Sequence, residues 1–268
     1  MDLIIFSGQS NMQGQTEGLP SDNRPVSGAF EYRLAGDALV PLCHPVGENL
    51  DRNGRPFSPD FRDIPGALEK SVLLGAWENH ANMVPAFCRS YRDVTGRPVT
   101  AVHAAKGSTT IGDWRRGTPG YALLVKKSLA AVRKVCPQHI FFVWLQGESD
   151  ALAGTDKQTY KRALQELNRD LRQDLKIEVF GVIAVGRFTG DARDDAILDA
   201  QRELCAENGD FRLLTDVTVP MSGIRRFMNP AVAGHFGCLG QEVIGTFAGH
   251  ALGGCIPDEE RQAPDGSL

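Results

Sequence analysis

Gly8-Gln9-Ser10-Asn11-Met12 follows directly on the apolar run Leu3 to Ser7. Gly8 permits a sharp turn at a strand end, and a serine opening the next helix has an exposed hydroxyl and an N–H without an intrahelical acceptor. That N–H is free to hydrogen-bond an oxyanion, which makes Ser10 a candidate nucleophile. Serine is equally a favoured helix N-cap, and the pentapeptide alone leaves that reading open. Near the other end, Asn229-Pro230-Ala231-Val232-Ala233-Gly234-His235-Phe236 runs into the amphipathic segment Leu239 to Leu252. A histidine at a helix start after the last strand can fold back over the sheet edge and take the proton of Ser10. Of the six histidines His235 is the best placed, whereas His44, His80, His103, His139 and His250 read as structural or surface residues.

Two more turns carry polar groups of use to acyl transfer. In Lys106-Gly107-Ser108-Thr109-Thr110-Ile111-Gly112-Asp113-Trp114, Gly107 can bring a backbone N–H close to a ligand, although a plain glycine turn looks the same. Trp144-Leu145-Gln146-Gly147-Glu148-Ser149-Asp150 places an amide and two carboxylates behind an apolar run. Gln146 can donate to an oxyanion and Glu148 can orient a histidine, while both carboxylates also suit the first turn of a helix.

These turns need a scaffold that gathers them at one edge. Short runs rich in Val, Ile and Phe alternate with longer segments of helical period, the pattern of a parallel sheet covered on both faces. The predicted strands are Leu3 to Ser7, Val99 to Ala104, Ile140 to Leu145, Val179 to Val185 and Phe211 to Thr215, with helices near 84–94, 119–135, 157–174, 194–207 and 235–252. Five strands with such crossovers predict an α/β, doubly wound sheet of flavodoxin-like type, whose functional loops lie beyond the carboxyl ends of the strands. Residues 14–81 break the rhythm, being dense in Gly, Pro, Asn and Asp, and are expected to fold over the sheet edge and wall the site. Residues 1–252 are read as one domain and 253–268 as a flexible tail.

Composition narrows the function classes. With 42% hydrophobic and 23% charged residues the chain has the make-up of a globular protein, and no apolar run is long enough to span a bilayer. A net charge of −4 offers nothing to the phosphates of a nucleic acid. Met1 runs straight into the first apolar segment without a signal-peptide pattern, so a cytoplasmic location is expected. The six cysteines lie singly, in no metal-ligand spacing, and read as reduced thiols.

Gly8-Gln9-Ser10-Asn11-Met12, the Gly107 turn with Trp114, Trp144-x-Gln-Gly-Glu-Ser-Asp150 and Gly234-His235 occur in this order. Together they resemble the SGNH hydrolase superfamily, specifically carbohydrate esterase family six and the related sialate O-acetylesterase (SASA) domain. The resemblance implies deacetylation of an acetylated saccharide such as a xylan oligomer or sialic acid, without metal or other cofactor. It makes Ser10 the nucleophile, His235 the base and then the acid, and the N–H of Ser10, the N–H of Gly107 and the Gln146 side chain the oxyanion hole. Gln9, Asn11 and Trp114 are the expected substrate contacts; Trp77 and Trp144 are further rings that could stack on a sugar, Trp144 more in keeping with a core.

One position departs from the pattern. Related enzymes usually carry an Asp three residues before the histidine, and here that residue is Val232. Glu148 is the first candidate to replace it, then Asp216, then the backbone carbonyl of Asn229 or Pro230. The departure also keeps open a non-catalytic carbohydrate-binding protein of the same fold. An esterase or thioesterase for longer acyl chains is disfavoured, because residues 14–81 hold no apolar stripe to line an acyl tunnel.

Overall fold

The computed structural model describes residues 1–56, 74–76 and 79–262. Asp2–Gly8 (β1), Ala29–Arg33 (β2), Ala38–Pro41 (β3), Val99–Ala105 (β4), Ile140–Leu145 (β5), Val179–Ile183 (β6) and Phe211–Thr215 (β7) form one sheet in the order β3-β2-β4-β1-β5-β6-β7. Every neighbouring pair is parallel except β2 with β3. The expected strands are β1, β4, β5, β6 and β7, and their spatial order, second-first-third-fourth-fifth along the chain, is the flavodoxin-like one. The sheet has seven strands among the described residues rather than five, because residues 14–81 contribute the hairpin β2–β3. The reason it escapes a hydropathy reading is visible in β2: Glu31 is buried and held by the Gly47 N–H at 2.8 Å and by Arg33, so a carboxylate stands where a pattern search expects an apolar residue. The edge itself is β3, which is only four residues long and ends on Pro41, both of which discourage pairing with a further strand.

Side chains alternate across a strand, and the central strands divide theirs between two cores. Leu3 and Ile5 of β1, with Phe142 and Trp144 of β5, pack against helices Pro119–Val135, Lys157–Leu175 and Ala192–Glu207 through Leu124, Leu164, Leu171, Ile197 and Leu204. Ile4 and Phe6, with Phe141 and Val143, pack against Val84–Thr95 and Cys238–Gly253 through Phe87, Tyr91, Ile244 and Leu252. Each of these buried aliphatic side chains contributes about 1.5–3 kcal/mol, and having apolar partners on both faces fixes the register of β1.

The last helix begins at Cys238, so His235 lies in the turn before it rather than at its start. The segment expected to be a flexible tail is anchored as far as it is described. Gln262 N–H donates to the Thr95 carbonyl at 2.8 Å, Arg97 donates to the Glu260 carbonyl at 3.0 Å, and the Glu260 carboxylate meets His139 at 2.8 Å. Among the described residues no helix is long and apolar enough to cross a membrane.

Candidate active site

Ser10 opens the four-residue helix Ser10–Gln13 at the carboxyl end of β1 and is 7% exposed. Its hydroxyl lies 2.8 Å from Nε2 of His235, so residues 225 positions apart are in hydrogen-bond contact at the mouth of the sheet. The other ring nitrogen, Nδ1, donates to the Ala233 carbonyl at 2.8 Å. That bond fixes the tautomer in which Nε2 is the bare acceptor facing the Ser10 hydroxyl. Burial holds the His235 pKa below its ordinary value, which keeps the imidazole neutral and able to accept a proton.

Several contacts hold the histidine in place. Asn229 N–H donates to the His235 carbonyl at 2.7 Å, and His235 N–H to the Val232 carbonyl at 3.3 Å. Gly234 has φ +74, and a Cβ there would run into the Phe188 ring, which also stands edge-on to His235 at 6.4 Å. Asn11 reaches across from the nucleophile helix: its Oδ1 accepts from Phe236 N–H at 3.1 Å and its Nδ2 donates to the Gly234 carbonyl at 3.3 Å. The same Nδ2 donates to Glu148 at 2.7 Å.

Glu148 is therefore not the partner of the His235 ring. It is 3% exposed and touches the histidine loop only through Asn11, and burial raises its pKa. Asp216 is paired with Arg202 at 2.7 Å on the surface, and the carbonyl at Nδ1 belongs to Ala233, not to Asn229 or Pro230. Gln146 does not serve as an oxyanion donor in this arrangement. It is fully buried, and its NH2 is spent on the Thr109 carbonyl at 3.0 Å and Asp150 at 2.5 Å, while Tyr160 donates to its oxygen at 3.0 Å. Gly107 does lie beside Ser10, but its N–H donates to Oε1 of Gln13 at 2.9 Å.

The expected substrate contacts are likewise structural. Gln9 is 3% exposed, and its oxygen accepts from the N–H groups of Gly147 at 3.2 Å and Ser149 at 3.1 Å, tying the turn after β1 to the turn after β5. Asn11 has its amide fully used. Trp114 is 1% exposed, packs edge-on against Trp144 at 6.0 Å and donates to Thr109 at 3.0 Å, so neither ring is offered to a sugar. Trp77 lies outside the described residues. The sequence reading missed Ala233, whose role is a backbone carbonyl and leaves no trace in side-chain type, and Phe188, which comes from a distant loop.

From the segment 14–81, Gln15 accepts from Asn229 through its carbonyl at 2.6 Å and Glu17 accepts from Cys238 N–H at 2.9 Å, so its first residues abut the histidine loop.

The strand order and the polar turns at the carboxyl edge define an α/β protein with a doubly wound, flavodoxin-like sheet, a fold shared with the solved structures named below. The chain belongs to the SASA family, carbohydrate esterases described as sialic acid-specific acetylesterases, whose model matches residues 1–219. His235 lies beyond the matched segment. A probable carbohydrate esterase of Arabidopsis thaliana is 33% identical over 212 residues, covering 77% of this chain and 76% of the relative. The X-ray structure of an Arabidopsis thaliana protein is similar with a TM-score of 0.64 at 20% identity, over 93% of this chain and 96% of that one. The crystal structure of NanS is similar with a TM-score of 0.58 at 16% identity, over 94% of this chain and 96% of that one.

Proposed function

We propose that this chain is a carbohydrate O-acetylesterase that uses Ser10 and His235 as a catalytic dyad, with the Ala233 carbonyl in the place of the usual acidic residue. The observation that carries the reading is the relay of hydrogen bonds from the Ser10 hydroxyl to Nε2 at 2.8 Å and from Nδ1 to the Ala233 carbonyl at 2.8 Å. Membership of a carbohydrate esterase family supports the saccharide as the alcohol part of the ester.

In the reaction Ser10 Oγ attacks the acetyl carbon while its proton passes to Nε2, and the carbonyl electron pair moves onto oxygen. Collapse of the tetrahedral intermediate expels the sugar oxygen, which takes the proton back from the imidazolium and leaves acetyl-Ser10. Water then attacks the acetyl carbon as Nε2 takes its proton, and the second tetrahedral intermediate expels Ser10 Oγ, which recovers a proton from the imidazolium as acetic acid leaves. The Ala233 carbonyl performs one of the two duties of a triad acid, holding the correct tautomer. It stabilises the imidazolium less than a carboxylate does, and burial outweighs it, so the pKa stays below its ordinary value. Hydrolysis of p-nitrophenyl acetate and of acetylated saccharides, abolished by Ser10→Ala, tests the proposal; equal rates for the wild type and Ser10→Ala would overturn it. A non-catalytic sugar binder would leave Ser10 unlabelled by a fluorophosphonate, a reagent that requires an activated serine.

A further inference from the structure

Between Gly186 and Asp191, after β6, the chain is neither strand nor helix, yet its backbone is firmly held. Phe188 and Gly190 donate their N–H groups to Oδ2 of Asp194 at 3.1 and 2.7 Å, and Thr189 donates to Oδ1 at 3.0 Å. Asp194 is 2% exposed and stands at the third position of the helix Ala192–Glu207. An acid at that position ordinarily reaches back to the N–H of its own N-cap. Asp194 reaches past it, because the N-cap Asp191 N–H is taken by the Thr189 hydroxyl at 3.4 Å. Arg187 N–H donates to Ser222 Oγ at 2.9 Å, so from 187 to 190 every backbone N–H has a side-chain acceptor. A turn bonded in this way resists local opening.

What the turn holds still is Phe188. The Cδ2 and Cε2 edge of its ring fills the place a Cβ on Gly234 would take, and the ring stands edge-on to His235 at 6.4 Å between centroids. Gly186 approaches the next residue along, since a Cβ there would lie 3.2 Å from Cζ of Phe236. The turn thus abuts the chain on both sides of His235. Resting on the esterase reading above, we infer that Asp194 is a positioning residue: by clamping the turn after β6 it holds Phe188 as a wedge against Gly234 and His235, and so keeps Nε2 facing Ser10 Oγ. The bond from Nδ1 cannot do this by itself. Its acceptor, the Ala233 carbonyl, lies two residues away in the same loop, so the bond sets the tautomer and moves with the loop. Asn11 ties the loop from the side of the nucleophile, and Phe188 meets it from the side of β6.

Steady-state kinetics and pH profiles on p-nitrophenyl acetate test this, with the wild type, Ser10→Ala, Phe188→Ala, Asp194→Ala, Asp194→Asn and the double variant F188A/D194A. Phe188→Ala and Asp194→Ala should each lower kcat about 100-fold, the effect of a displacement near 1 Å, while KM changes less than about threefold. Their acid limb of kcat/KM should move to higher pH, because water reaching the imidazole lifts a pKa that burial holds down. The double variant should be no slower than the slower single one, since both changes act on the same wedge. Asp194→Asn keeps one oxygen for these N–H groups and should fall between the wild type and Asp194→Ala. Phe188 is only half-buried, so Phe188→Ala carries the test should loss of the carboxylate unfold the protein. Folded alanine variants with kcat within about threefold of wild type and an unmoved acid limb overturn the inference. So do losses that multiply in the double variant, and so does a raised KM at unchanged kcat, which would make Phe188 a wall for substrate instead of a wedge. If the wild type and Ser10→Ala are equally slow, it is the esterase reading that fails, and the inference falls with it.

Discussion

The turn after β1 and the turn after β5 leave the sheet side by side, are stitched together by Gln9, and carry the two most distinctive residue runs of the chain. Their roles differ. After β1, Ser10 keeps 7% of its surface and meets His235, whereas after β5 Gln146, Glu148 and Asp150 are 0, 3 and 1% exposed and bond inward. Tyr160 and Gln201 complete the inner network, with Gln201 donating to the Gln146 carbonyl at 2.9 Å and accepting from Val185 N–H at 2.8 Å. A buried polar network of this kind is rigid when satisfied and costly when broken. On the proposed reading one turn supplies the reacting atoms and the other the frame that keeps them within reach, although their sequences look equally suited to chemistry.

The sharpest way to break this division is to substitute each side of it. Ser10→Ala and His235→Ala should each lower kcat by about 10⁴-fold or more with little change in melting temperature. Asp150→Ala should do the reverse. It strips the acceptor from Gln146, Ile111 N–H and Thr155, costing about 3 kcal/mol, or roughly 6–12 °C in Tm, while turnover per folded molecule stays close to wild type. A loss of kcat at unchanged Tm in Asp150→Ala would erase the distinction. Between the two lies Asn11, the tie from Glu148 to the histidine loop. Asn11→Ala should misplace His235 and lower kcat/KM about 100-fold, since a displacement near 1 Å has that effect; measured alongside Ser10→Ala, it separates positioning from chemistry.

Smaller effects sharpen the account of the dyad. Only the neutral imidazole can accept the Ser10 proton, and burial lowers its pKa, so kcat/KM should fall on the acid side with a midpoint below 6.5. Val232→Asp introduces a carboxylate three residues before the histidine, where the family resemblance leads one to expect an acid. By favouring the imidazolium it should move that acid limb to higher pH, with kcat/KM changing less than about tenfold. A pH profile of the two proteins decides this, and an unmoved limb would mean that position 232 does not reach the ring.

Much of the frame was legible in the residues. The strands and helices of the doubly wound sheet follow from runs such as Leu3-Ile4-Ile5-Phe6, whose alternate side chains had to find two apolar faces. The hairpin β2–β3 was not legible, because Glu31 and Arg33 satisfy each other within it and mask its period. Ser10 and His235 could be picked by type and by their place after strands. Glu148, Gln146 and Trp114 could not be sorted from them, since identity says what a side chain can donate or accept and nothing about whether water reaches it.

What the sequence by itself determined is the order of the five parallel strands and their crossover helices, the serine and histidine able to exchange a proton, and the valine at position 232. What only the tertiary structure decided is which polar groups at the sheet edge are already spent. Hydrogen-bond capacity is a property of the residue, but whether it is free depends on neighbours far away in the chain. Folding gave Gln146 to Asp150, Asn11 to Glu148, the His235 ring to the Ala233 carbonyl and the Gln13 oxygen to the Gly107 N–H.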